Sequence, residues 1–319
     1  MSHRTSRIGA LVALGGLIAA CSPGSSSGGS VAPTSSAGTS VAAPSAAASA
    51  VASHATHDIL GDFDIGSGRT LHLICVGPTD TGKPTAILEA GLTGSVDVWG
   101  DVLSDIQATT RTCAYDRAGE GQSPPATVGR TVKDQVGDLH ALLAAAKIPP
   151  PYVLVGHSSG GWNVLVYADV YPGEVAGAVL VDARPPTASA RWLAALPPQT
   201  ATESEAIKGA RDESTTFDTD PSQNPEGLDL RKSEAQAAAA KGFGDKPLIV
   251  LVASDTRVIT DGFEPALATK FLDIWLELQD GLVKLSAQGI LKTVSDTDHM
   301  IPEMRPDAVI DAIRTVTGS

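Results

Sequence analysis

Apolar residues in this chain fall in short runs separated by longer stretches in which apolar positions recur every three or four residues. The runs at 85–89, 111–115, 152–155, 178–181, 248–252 and 290–294 read as strands. Two earlier segments, 62–65 and 69–76, read as a hairpin around Gly66-Ser67-Gly68. Helical spacing appears at 96–108, with Val98, Val102 and Ile106 on one face. It recurs at 131–146, with Val132, Val136, Leu139, Leu142 and Leu143 as a stripe. Residues 162–171, 266–287 (Phe271, Ile274, Trp275, Leu278, Leu282) and 307–316 complete the set. Eight short strands alternating with helices predict an α/β fold, a mostly parallel sheet with helices on both faces.

One interval breaks the alternation. Residues 187–246 are Ala-rich, charged and helical by pattern, with a loop-like stretch at 218–225. Inserted between the sixth and seventh strands, this segment is expected over the carboxyl ends of the strands, where ligands bind in such sheets. It is therefore expected to be a helical lid that adds little to the main core, with Trp192 as its substrate contact. Trp99 and Trp275 are expected in the core.

The strongest chemical signal sits after the run Tyr152-Val153-Leu154-Val155, in Gly156-His157-Ser158-Ser159-Gly160-Gly161. A strand here delivers a serine into a glycine-flanked turn, and a helix free of Gly and Pro leaves it. The geometry needs residues without bulk two positions before and two after the serine, so that Ser158 projects its hydroxyl above the sheet. Ser158 is the expected nucleophile. His157 beside it is expected to support structure, because neighbouring side chains at such an elbow point apart.

The N-terminus reads as an export signal. Arg4 and Arg7 precede an apolar stretch at 8–20 that is too short to span a bilayer permanently. It ends Leu17-Ile18-Ala19-Ala20-Cys21, which resembles the lipobox of bacterial lipoproteins, in which the signal is cut before the Cys and the Cys sulfur carries lipid. Residues 22–53 contain only Ser, Ala, Gly, Pro, Thr and Val, too little apolar surface to offset ordering entropy. The expected organisation is a signal at 1–20, a lipidated Cys21 and disordered linker over 21–56, and a folded domain over 57–319. As a coil, the linker would span on the order of 30 Å. The chain carries −13 overall and, once the signal is removed, 21 basic against 36 acidic residues, or −15. That balance argues against nucleic acid and against electrostatic docking on anionic lipid. With Cys21 set aside, Cys75 and Cys113 remain, and outside the cytosol such a pair favours a disulfide. No Cys/His cluster has metal-ligand spacing, so neither metal nor cofactor is expected.

Further motifs match a known family. Tyr115-Asp116-Arg117-Ala118-Gly119-Glu120-Gly121-Gln122-Ser123 follows the fourth strand, Ala90-Gly91 follows the third, and Asp298-His299 follows the last. With the elbow, these resemble the α/β-hydrolase family over nearly all of 57–319, and in particular its exported actinobacterial members. The resemblance implies an α/β-hydrolase fold, His299 as the general base and, by the family's architecture, oxyanion donors at the N–H groups of Leu92 and Ser159. Ala90 replaces the family's more usual His in the oxyanion turn. The acid partner of His299 is Asp182, at the end of strand six, or alternatively Asp255 after strand seven. Asp116 and Arg117 are expected to brace the turn after strand four. In this fold the second strand lies beside the fourth, which would bring Cys75 and Cys113 within bridging distance.

The residue types suit the chemistry. A serine hydroxyl needs a positioned base to take its proton, an imidazole titrates near neutrality, and a carboxylate fixes its tautomer. The expected activity is hydrolysis of an ester or related acyl bond in a small-molecule substrate by a membrane-tethered monomer. Two alternatives stand beside it: a cofactor-free perhydrolase or lyase on the same triad, and a hydrolase-fold binding protein with slow turnover.

Overall fold

The computed structural model describes residues 58–319, so the signal, Cys21 and the linker lie outside the described residues. Eight strands form one sheet: β1 (Ile59–Gly66), β2 (Arg69–Val76), β3 (Thr85–Glu89), β4 (Thr112–Tyr115), β5 (Tyr152–His157), β6 (Val175–Val181), β7 (Gly244–Ala253) and β8 (Ser286–Val294). Their spatial order is β1-β2-β4-β3-β5-β6-β7-β8. The β1–β2 and β2–β4 pairs are antiparallel and every later pair is parallel. The helices are α1 (Gly100–Ile106), α2 (Val132–Ala145), α3 (Gly160–Val170), α4 (Ala188–Ala195), α5 (Glu205–Asp212), α6 (Leu230–Ala238), α7 (Arg257–Thr260), α8 (Pro265–Val283), α9 (Ile301–Met304) and α10 (Pro306–Thr317).

The uninterrupted apolar runs of the central strands have a direct cause. Alternate side chains enter opposite cores, and both cores are built of buried apolar residues. Leu154, Leu248, Val250 and Val252 pack with Leu139 of α2 and with Trp162 and Tyr167 of α3. Val153, Val155, Ile249 and Leu251 pack on the other face with Trp99, Ile106 of α1 and Val309 and Ile313 of α10. Each fully buried aliphatic side chain of this kind contributes roughly 1.5–3 kcal/mol. The outer strand β1 shows the contrasting pattern, alternating half-buried and exposed residues along its length. Cys75 and Cys113 stand directly opposite each other in the β2–β4 register and are joined by a disulfide, as expected.

Three expectations change. The helix expected over 96–108 is a 3-10 turn, Val96–Trp99, followed by α1. The segment expected as a long helix to residue 287 ends at Val283, and β8 begins earlier, at Ser286. Most importantly, 187–246 contributes to the main core, against the expectation that it adds little there. Leu228, Leu230 and Ala237 are buried in the main core, and α6 packs on α2 and α3. The Val132 N–H at the start of α2 donates to Ser233 Oγ of α6 at 3.0 Å, tying the two helices together. Only the earlier part departs from this core. There α4 packs on α8, and Trp192 stacks on Trp275 with ring centroids 6.0 Å apart. Trp192 therefore serves packing against α8 beside Phe271.

Candidate active site

The turn from β5 into α3 holds Ser158 at φ +53°, in the left-handed region that non-glycine residues seldom occupy. Such a backbone costs of order 1–3 kcal/mol and persists only where its surroundings over-determine it. Here the Ser158 N–H donates to Val181 O at 3.2 Å, while Ser158 O accepts from Gly161 N at 3.1 Å and Arg184 N at 2.9 Å. The flanking glycines are sterically required. A Cβ on Gly156 would lie 2.8 Å from Gly160 O, and one on Gly160 would lie 2.4 Å from Ala90 O. The third-strand turn thus rests against the start of α3, and a Cβ placed on Gly91 would sit 3.5 Å from Ser158 Oγ.

Asp182 and His299 meet at the carboxyl ends of the neighbouring strands. Asp182 follows β6 at φ +40°, and its Oδ2 lies 2.7 Å from His299 Nδ1. Its Oδ1 accepts from the Ala253 N–H at 3.0 Å, so both carboxylate oxygens are occupied and the side chain is fixed. Both residues are buried, at 2% and 8% exposure. A carboxylate can only accept, so the imidazole proton sits on Nδ1 and the Nε2 lone pair is left free. The other acid, Asp255, is turned away: its oxygens take Arg257 Nε at 3.0 and 2.8 Å. The hydrogen bonds from Arg257 hold that carboxyl below its usual range. The geometry therefore joins His299 to Asp182 and not to Asp255.

His157 packs behind this pair. Its Nε2–H donates to the His299 backbone carbonyl at 2.9 Å, and the two rings lie 4.7 Å apart. Burial, followed by the proximity of His299, pushes the His157 imidazole down to about 3, so it stays neutral at ordinary pH. The neighbour of the serine is a support for the histidine loop, as expected from sequence.

The turn after β3 is held by a buried ionic network. Arg117 Nη1 donates to Ala90 O at 2.7 Å and Nη2 to Gly91 O at 2.5 Å. The same guanidinium donates to both oxygens of Glu226, through Nε at 2.7 Å and Nη2 at 2.8 Å. Glu226 Oε1 also accepts the Thr93 N–H at 3.1 Å, and its Oε2 accepts from Gln135 Nε2 at 2.5 Å. Glu89 faces Arg117 at 3.5 Å and accepts from the Tyr115 hydroxyl at 2.7 Å. Burial pushes the Glu89 carboxyl up to about 7 against the pull of Arg117. Leu92 sits in the middle of the braced turn, and Ser159 opens α3.

Asp116 does what was expected of it, accepting from Val96 N and Gln122 N at 2.8 Å each to brace its own turn. Arg117 reaches further, to the turn after β3. Glu226 was not singled out from sequence at all. It lies 109 residues from its partner, in Pro225-Glu226-Gly227, where no local motif marks an acid for burial.

Comparison with known proteins agrees with this architecture. A family model described as "alpha/beta hydrolase fold" matches residues 84–275. The non-heme chloroperoxidase of Streptomyces lividans is 38% identical over 112 residues, 34% of this chain and 40% of that protein. The bifunctional esterase/perhydrolase of Acinetobacter calcoaceticus is 34% identical over 112 residues, with the same shares of each. This chain spans about two fifths or less of the length of the curated relatives it matches. Among solved structures, a thermophilic esterase from Thermogutta terrifontis aligns with a TM-score of 0.53 at 18% identity, covering 81% of this chain and 97% of the other, a likeness of fold. With its sheet order, its strained serine elbow and a family match over more than half its length, the chain belongs to the alpha/beta hydrolase fold family.

Proposed function

We propose that the protein is a serine hydrolase that cleaves an ester or related acyl bond through an acyl-enzyme. The observation that carries the reading is the His299–Asp182 contact at 2.7 Å beside a serine held at φ +53°. Ser158 Oγ attacks the acyl carbon and passes its proton to His299 Nε2, which returns it to the leaving group. Water, deprotonated by the same imidazole, then releases the acid and regenerates Ser158. The N–H groups of Leu92 and Ser159 hold the oxyanion of each tetrahedral intermediate, and losing such a donor costs roughly 3 kcal/mol. Asp182 keeps the proton on Nδ1 and stabilises the imidazolium.

A chain-length series of para-nitrophenyl esters tests the proposal. Ser158→Ala and His299→Ala should each abolish nearly all turnover, with the double variant little worse, because the residues act as a unit. Retained hydrolysis in purified Ser158→Ala protein defeats the reading.

Matches to a chloroperoxidase and to an esterase/perhydrolase favour a second reading on the same residues. In it, hydrogen peroxide replaces water in attacking the acyl-enzyme and a peracid leaves. Peracid formation from acetate and peroxide, measured against ester hydrolysis, separates the two. The proposal is completed by export, with lipid on Cys21 and 22–53 as a tether. An intact mass of the membrane-fraction protein that starts at any residue other than Cys21 removes the anchor.

A further inference from the structure

We infer that Glu226, contributed by the segment between β6 and β7, is a positioning residue for the oxyanion hole. The inference rests on the hydrolase reading above.

A trans peptide is planar, so its C=O and N–H point in opposite directions. Fixing one carbonyl therefore fixes the N–H of the following residue. The Gly91 carbonyl is held by Arg117 Nη2 at 2.5 Å and by the Gly94 N–H at 3.0 Å, which directs the Leu92 N–H the opposite way. The next peptide is fixed from its other end, by the Thr93 N–H donating to Glu226 Oε1 at 3.1 Å. Thr93 itself stands at φ +63°, a conformation that needs such restraint. Leu92 thus lies between two pinned peptide planes, and Glu226 acts on both. It binds the second directly, and it sets the first by holding Arg117 through two oxygens.

Arg117 has another carboxylate within reach. Glu89 Oε2 lies 3.5 Å from Nη1, is buried, and has no hydrogen-bond partner. Without the charge on Glu226 the guanidinium has reason to turn toward Glu89, releasing the Ala90 carbonyl and leaving the Gly91 carbonyl to the Gly94 N–H alone. A buried arginine left with only the 3.5 Å contact to Glu89 is costly, so a closer approach to that carboxylate is driven. The segment between β6 and β7 therefore reaches the reaction through the shape of the oxyanion turn.

The test is Glu226→Gln, assayed on para-nitrophenyl acetate beside wild type and Ser158→Ala. An amide nitrogen in place of one oxygen faces the donors of Arg117 and Gln135, breaking the clamp while keeping the shape. The expected result is a kcat lower by about tenfold to a hundredfold with KM within about twofold, short of the full loss of a donor. Inhibition by an aryl trifluoromethyl ketone, whose hemiketal oxyanion needs the hole, should weaken by the same factor. Arg117→Lys, which keeps the charge but cannot span two carbonyls and a carboxylate, should show the same split. Glu203→Gln, which removes an ion pair with Arg211 elsewhere in the segment, should leave kcat unchanged. An unchanged kcat in folded Glu226→Gln, a rise in KM alone, or failure of both Glu226→Gln and Arg117→Lys to fold would overturn the inference. Turnover that survives Ser158→Ala would instead overturn the hydrolase reading, so the two failures are distinguishable.

Discussion

Replacing Asp182 by Asn isolates one function of one atom. The Asn side chain has nearly the same volume, and Asn tolerates positive φ, so the backbone at +40° is kept. Its carbonyl oxygen can still accept the Ala253 N–H now bound at 3.0 Å. The amide nitrogen then occupies the site of Oδ2, 2.7 Å from His299 Nδ1. Two donors cannot face each other, so the imidazole must move its proton to Nε2, the atom that has to accept from Ser158 in the proposed reaction. The variant loses the reactive tautomer and the stabilisation of the imidazolium. A swap of this kind lowers kcat by about four orders of magnitude, or ~5 kcal/mol of transition-state stabilisation. The assay is steady-state hydrolysis of para-nitrophenyl acetate with thermal unfolding measured on the same preparations, and the melting temperature should move little. Asp255→Asn should leave kcat within several-fold, since that carboxylate is engaged with Arg257. A kcat within tenfold of wild type in Asp182→Asn, or a collapse in Asp255→Asn instead, refutes the reasoning.

Three further outcomes follow from the fold. The disulfide joins residues 38 positions apart, so Cys75→Ser with Cys113→Ser should lower stability by roughly 3–4 kcal/mol in urea titrations, leaving kcat nearly unchanged. Burial raises Glu89 to about 7 from an ordinary 4.5, so the folded protein binds an extra proton in that window and stability falls as pH rises through it. Glu89→Gln is free of this term, and its stability relative to wild type should improve between pH 4.5 and 7 and level off above; a pH-independent difference would show the site does not titrate there. Excising 187–246 should give no folded protein, because it strips Leu228 and Leu230 from the core at ~2–5 kcal/mol each, and a soluble truncated form with a cooperative melt would contradict that.

The sheet was legible because its central strands are apolar throughout, and the elbow because its requirements are local: a serine, two glycines, a strand before and a helix after. His299 was legible by its place after the last strand. The choice of Asp182 over Asp255 was not a matter of pattern, since both acids end apolar strands; it depends on which side chain is already occupied, and Arg257 occupies Asp255. The contribution of 187–246 to the core is hidden for a related reason. Its Ala-rich helix offers few large side chains, but small residues such as Ala237 and Ser233 let α6 approach α2 and α3 closely. Glu226 and Arg117 pair across 109 residues, and nothing near either one signals the other.

The left-handed backbone at Ser158 also acts as a filter on chemical change at that position. A branched Cβ is costly at φ +53°, so threonine, which carries the same hydroxyl, would need the kind of restraint that holds Thr93 at φ +63°. Cysteine brings no such branching, and aspartate visits this region readily. The proposed nucleophile could therefore exchange oxygen for sulfur or for a carboxylate while the surrounding sheet stays as it is. In the proposed reaction those exchanges would give thioester or alkyl-ester intermediates, while a secondary alcohol would add backbone strain at the elbow.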